Sequence, residues 1–173
     1  MPVSLEQVLD SRDRRAERQA AALGRFGLPL VSVTIVMPGA VKDSPLSRSL
    51  LTEARSALDH LFADSGWAVR LSQSLFEPTG PEALYAVEAE AQTLKRAMVA
   101  LEDQHPLGRL WDLDVHCPRA GSLSRRSLGL RPRPCLVCDD DAHACARSQR
   151  HPLPYLLKAI TEKIHAYGIP LSG

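Results

Sequence analysis

Aromatic side chains are scarce in this chain, 5% of its 173 residues, and lysine is scarcer, with 4 Lys against 17 Arg. So few aromatic rings leave little on which nucleotide bases could stack, so nucleic acid is not an expected partner. Net charge is also nearly absent: 21 basic and 20 acidic residues give a formal +1, which supplies no bulk attraction to nucleic acid or to an anionic membrane. No apolar run approaches the ~20 residues that span a bilayer, and Met1–Glu6 lacks the basic-then-apolar layout of a signal peptide; no membrane association is expected, and the expected compartment is the cytoplasm. Neither the Gly-x-x-x-x-Gly-Lys phosphate loop nor the Gly-x-Ser-x-Gly nucleophile elbow occurs. Repeats and low-complexity tracts are absent. The preference for Arg suits a planar grip on phosphate or carboxylate, although a GC-rich genome produces the same bias.

What is present reads as one domain over residues 1–173, with a hydrophobic fraction of 45% and a charged fraction of 24% that suit a packed core. Ser4-Leu-Glu-Gln has the capping-box pattern that opens a helix to about Leu23, with Leu5, Val8, Leu9, Ala16, Ala20 and Leu23 as its apolar stripe and Arg12 to Arg18 as a solvated charged face. Leu30–Met37 is a β-branched run predicting a buried strand, and Leu46 to Phe62 carries helical apolar spacing. Strands are expected from Trp67 toward Phe76, over Leu84–Val87, and from Arg109 to about His116, with a helix through Ala91–Leu101 between the last two and another through Leu153–Tyr167. Residues 118–151 form an Arg/Pro/Cys-rich segment expected to be irregular with short strands. The order predicts an α+β fold, a mostly antiparallel or mixed sheet with helices mainly on one face.

The richest stretch is His105-Pro-Leu-Gly-Arg-Leu-Trp-Asp-Leu-Asp-Val-His116. Strand alternation sends Trp111, Leu113, Val115 and Cys117 inward and Leu110, Asp112, Asp114 and His116 to the other face. Two carboxylates at i and i+2 sit roughly 6–7 Å apart. They repel unless a cation lies between them, and Mg²⁺ is commonly held by one or two carboxylates together with substrate phosphates. The alternative is an exposed edge strand with no metal.

Three further constellations carry chemistry. In Pro38-Gly-Ala-Val-Lys-Asp-Ser-Pro45, Lys42 offers a point charge for phosphate, and Arg48 sits in a first helical turn where the dipole disfavours it, pointing to an anion or an acidic neighbour. A surface loop with a Lys42–Asp43 pair is the plainer account. Arg119, Arg125, Arg126, Arg131 and Arg133 form a basic stretch with no acid between them, fit for a polyphosphate, an acidic protein partner or plain solvation. Cys135-x2-Cys138-x6-Cys145-x5-His151 could ligate Zn²⁺, with His143 as a competing fourth ligand, or could be packed free thiols.

The runs 29–44, 105–115, Ser-Leu-Ser-Arg-Arg at 122–126 and Arg-Pro-Cys-Leu-Val-Cys…Cys-Ala-Arg at 133–147 resemble the apo-citrate lyase phosphoribosyl-dephospho-CoA transferases, in order over nearly the whole chain; only Ile169–Gly173 matches nothing in the pattern. The resemblance implies an enzyme that moves the prosthetic group from triphosphoribosyl-dephospho-CoA to a serine of the citrate lyase acyl carrier protein, releasing pyrophosphate, and the length suggests a form not fused to the precursor-making enzyme. By analogy with a transferase serving malonate decarboxylase, it also suggests nucleotidyltransferase character, including a nucleotidyltransferase-like fold. In that frame Asp112 and Asp114 hold Mg²⁺, Lys42, Arg48, Arg109, Arg125 and Arg126 contact phosphates, Asp43 is a metal ligand or base, and His116 or His105 deprotonates the serine. Arg119–Arg133 would receive the carrier. The competing classes are a zinc-stabilised protein- or RNA-binding module without turnover, a transferase for another carrier, and a nucleotidyltransferase acting on RNA or an antibiotic.

Overall fold

The computed structural model describes residues 2–169, so all but the first residue of the run Ile169–Gly173 lies outside the described residues. Its centre is a five-stranded sheet of order β2-β3-β1-β4-β5, formed by β1 (Leu30–Ile35), β2 (Val69–Glu77), β3 (Gly80–Val87), β4 (Trp111–Cys117) and β5 (Gly121–Leu123). Every pairing is antiparallel, which settles the expected alternatives in favour of an antiparallel sheet.

Two helices cover one face. In α2 (Pro45–Asp64), Leu50, Leu51, Ala54, Leu58 and Phe62 are buried at helical spacing, and in α3 (Ala91–Gln104) Leu94 and Met98 are. They pack with Val31, Val33, Tyr85, Trp111, Leu113 and Val115 of the sheet. The short helix α4 (Ala142–Arg147) precedes α5 (Leu153–Tyr167), whose Ile160 and Ile164 join the same core while Leu153, Leu157 and Tyr167 of its expected stripe stay exposed. The segment 118–151, expected to be irregular, holds β5, a 3-10 turn at Arg126–Leu128 and α4.

Helix α1 (Leu5–Phe26) lies on the opposite face of the sheet. The Ser4 capping box forms, and Gly27 closes the helix in the left-handed region at φ 62°. Its expected orientation holds at Leu23, which packs on the small cluster of Ala22, Leu30, Leu84 and Ala86, and fails over most of the earlier turns. Leu5 is 75% exposed and Ala16 and Ala20 face solvent, whereas Ser11 and Ala22 are buried and Arg15, Arg18 and Gln19 turn toward the sheet. Apolar spacing pointed outward because the sheet surface that this helix meets is itself polar over half its length.

Candidate active site

Strand β4 starts at Trp111, not Arg109; Gly108–Leu110 is a 3-10 turn. A Cβ on Gly108 would lie 2.5 Å from the carbonyl oxygens of Leu101 and Glu102, so only glycine lets this turn seat against the end of α3. The turn also buries Leu110, which was expected on the outer face. From Trp111 onward the alternation holds: Trp111, Leu113 and Val115 are buried, Asp112 and His116 are partly exposed, and Asp114 is exposed.

Register places the carboxylates. Asp112 lies opposite Thr34 and Asp114 opposite Ser32 of β1, and Thr34 and Ser32 lie opposite Glu82 and Leu84 of β3. Because β5 pairs only with Val115–Cys117, the first half of β4 has an open edge. Charged side chains stand in for the missing strand. Lys95 Nζ donates to the Leu113 carbonyl at 3.0 Å, the Leu113 N–H donates to Glu102 Oε1 at 2.8 Å, and Arg133 donates to the Trp111 and Arg109 carbonyls. Sequence reasoning missed Lys95 and Glu102. Their signal was a Lys and a Glu on the apolar side of a helix, seven residues apart.

Two cavities meet at this edge. One, of about 790 Å³, is lined among others by Lys95, Asp112, Asp114, Arg125, Arg126 and Arg133; the other, about 830 Å³, by Arg109, Asp112, Arg133, Cys135, Leu136 and Leu153. Asp112 and Arg133 belong to both and are ion-paired. The structure therefore brings Arg109, Asp112, Asp114, Arg125 and Arg126 around one cleft. Arg109 has a buried Nη1 with no hydrogen-bond partner, and burial, then the nearby Arg133 and Arg125, push its pKa down. Arg125 is already paired with Glu102 at 2.6 Å and Asp103 at 2.9 Å. The basic stretch is thus not a uniform docking patch: Arg125 and Arg133 turn inward, and Arg119, Arg126 and Arg131 stay exposed.

Other expected members lie elsewhere. Asp43 forms a two-pronged pair with Arg48 at 2.8 and 2.7 Å, and Arg48 stacks 5.5 Å over Phe76 of β2, on the far side of the sheet from β4. Arg48 thus answers to an acidic neighbour, and Asp43 is no ligand beside Asp112. Lys42 donates to the Met37 carbonyl and is held below its usual pKa by burial and then by Arg12. His105 stacks on Trp111 with centroids 4.4 Å apart, on the helix side of the sheet, so it cannot serve a reaction at the carboxylates. His116 shares their face; its Nε2 is buried and unpartnered, and burial lowers its pKa against the pull of Asp114.

Beyond Arg133 the chain folds into a knuckle. The Cys135 N–H donates to the Asp140 carbonyl at 2.6 Å, and Asp141 caps α4 by accepting from the His143 and Ala144 N–H groups. The ligand atoms of Cys135, Cys138, Cys145 and His151 all lie within 4.8 Å of one another. Cys138 Sγ is 3.6 Å from Cys145 Sγ and 3.3 Å from His151 Nε2, close to the roughly 3.8 Å sulfur–sulfur edge of a tetrahedron with metal–sulfur bonds of about 2.3 Å. His151, not His143, is the fourth member. Burial and the neighbouring sulfurs push the Cys145 thiol up to about 11.

Residues 3–167 match the family described as apo-citrate lyase phosphoribosyl-dephospho-CoA transferase. The chain belongs to this family. A protein of that description from Citrobacter koseri is 45% identical over 163 residues, 94% of this chain and 89% of the relative. One from Escherichia coli O7:K1 is 45% identical over 155 residues, covering 90% and 85%. Of the distinctive run 105–115, Arg109, Asp112 and Asp114 line the cavities just described, and most of the rest packs in the core.

Proposed function

We propose that this transferase moves the phosphoribosyl-dephospho-CoA group from triphosphoribosyl-dephospho-CoA to a serine of the citrate lyase acyl carrier protein. The observation that carries this reading is a carboxylate pair on an open sheet face, ringed by arginines, in a chain of this family. The serine oxygen attacks the innermost phosphorus of the triphosphate. A new P–O bond forms, the P–O bond to the second phosphate breaks, pyrophosphate leaves, and the serine proton passes to a base. His116 is the base candidate on the correct face, and burial lowers its pKa. Arg109, Arg125 and Arg126 supply positive charge beside the carboxylates, where negative charge gathers on the attacked phosphorus.

Hard oxygen donors suit Mg²⁺: among the described residues Asp114 makes no ion pair, and only one Asp112 oxygen is engaged by Arg133. When bound there, Mg²⁺ would neutralise the triphosphate and orient it. The soft Cys135, Cys138, Cys145 and His151 set suits Zn²⁺ in a closed structural site. No helix among the described residues is long and apolar enough to cross a membrane. Four unpaired thiols and a thiolate-type site support a reducing, cytoplasmic setting. Exposed Arg119 and Arg131 are the candidates for docking an acidic carrier.

The test is intact mass measurement of apo-carrier after incubation with enzyme, triphosphoribosyl donor and Mg²⁺. The carrier should gain one phosphoribosyl-dephospho-CoA, and Asp112→Ala should abolish the gain while keeping the wild-type circular dichroism spectrum. An unmodified carrier, or full turnover by Asp112→Ala, would overturn the respective assignment.

A further inference from the structure

The surface between α1 and the sheet is charged where such contacts are ordinarily apolar. Toward the Leu30 end of β1, α1 packs Ala22 on Leu30, Leu84 and Ala86. One and two turns earlier the same stripe is polar: Arg15 and Arg18 both donate to Glu82, and Gln19 donates to Ser32 Oγ at 3.0 Å. The Glu82 side chain is 6% exposed, and those of Arg15 and Arg18 are 27% and 26% exposed. Anchoring α1 through this carboxylate requires one guanidinium. The site has two, and Arg12 on the adjoining edge of the stripe is a third that makes no ion pair among the described residues. Lys42 lies against Gly80 at the start of β3 and is held below its usual pKa by burial and then by Arg12, so a fourth cation stands at this end. Among the described residues Arg12 and Lys42 make no ion pair, so positive charge is left over at this end of the sheet face once Glu82 is matched.

Register gives the distance to the carboxylate pair. Glu82, Thr34 and Asp112 lie in one row on adjacent strands, so the arginines stand about two strand spacings, roughly 10 Å, from Asp112. Thr34 forms the floor between them. Helix α1 touches β1 and β3. A chain of phosphates anchored at Asp112 and Asp114 can extend over Thr34 to α1.

We propose that Arg12, Arg15 and Arg18 form a polyphosphate-binding rack that takes the outer two phosphates of the donor, the future pyrophosphate, across Thr34 from Asp112 and Asp114. The inference rests on the function proposed above for its donor, but its test does not. Binding of inorganic pyrophosphate with Mg²⁺ is measured by calorimetry for wild type, Arg12→Ala, Arg15→Met and Arg25→Ala. Loss of a charge-assisted phosphate contact should weaken binding about tenfold or more in the first two variants, and Arg25→Ala, at the far end of the same helix, should bind as wild type. Arg12 is exposed, so its variant decides the question even if Arg15→Met is destabilised. Unchanged binding in Arg12→Ala, or an equal loss in Arg25→Ala, overturns the rack. Weakened pyrophosphate binding beside an unmodified carrier would sink the proposed function and leave the rack standing, whereas transfer with unchanged pyrophosphate binding would do the reverse.

Discussion

Replacing Arg133 by methionine separates two roles that one side chain fills. Arg133 pairs with Asp112, and its second terminal nitrogen donates to the carbonyls of Trp111 and Arg109 at the unpaired half of β4. Its side chain is 14% exposed and that of Asp112 47% exposed. An ion pair with so much water on the acid contributes about 0–1 kcal/mol. Two carbonyls losing their donor cost about 1–3 kcal/mol each, less what water entering the cleft restores. Arg133→Met is therefore expected to lose about 3 kcal/mol, which for a chain of this size lowers Tm by about 9 °C. Arg133→Lys should recover under half, because an ammonium lacks the flat fork that reaches both carbonyls and Asp112 together. Urea and thermal denaturation followed by circular dichroism give the loss, and a double-mutant cycle with Asp112→Asn apportions it. A Tm change below about 2 °C would refute the account of the open edge. A coupling above about 2 kcal/mol would show that Arg133 serves Asp112 and not the backbone.

Three other outcomes follow from the same geometry. Asp114→Asn should cut transfer at least a hundredfold at saturating donor with no change in Tm, since the exposed Asp114 side chain makes no hydrogen bond or ion pair among the described residues; an active variant would remove it from the site. Purified protein should carry one zinc by elemental analysis, lost in Cys138→Ser, and chelation should lower Tm; a zinc content near zero in protein purified without chelator would overturn the assignment. His105 accepts the Leu107 N–H at Nδ1, and burial holds its pKa below the unfolded value. The unfolded chain then binds the proton first, so stability should fall as pH drops through about 6.5. His105→Gln should flatten urea midpoints measured between pH 7.5 and 5.5, and an unchanged slope would contradict this.

The inner face of the sheet was legible because each strand and helix there signals burial by itself. Leu50, Leu51, Ala54, Leu58 and Phe62 fall at helical spacing, and Trp111, Leu113 and Val115 at strand spacing, and all are buried. The outer face was not, for a physical reason: over much of its length α1 packs there through ion pairs and an amide, and only its last turns, around Ala22 and Leu23, bring apolar residues to the sheet. Arg48 and Asp43 misled differently. The helix dipole argument located an unmet charge correctly, but the neighbour that meets it is five residues back in the chain and not across the site. Lys95 and Glu102 escaped because the need they meet, an unpaired edge on β4, is created by the shortness of β5.

That shortness connects the two halves of the site. A full-length β5 would have satisfied the Leu113 and Trp111 backbone groups and closed the cleft over Asp112. Instead the chain leaves the sheet after Leu123 and returns as the loop carrying Arg125 and Arg133, whose guanidiniums reach back to Glu102 and to the β4 carbonyls. The knuckle begins two residues after Arg133, and Arg133's own carbonyl accepts the Ala142 N–H at 2.9 Å. The cysteine cluster thus begins two peptide bonds from the residue that holds the edge of β4 and pairs with Asp112. A metal at the knuckle and a metal at the carboxylates would then differ in kind: the first fixes where the wall of the cleft stands, and the second touches what the cleft binds.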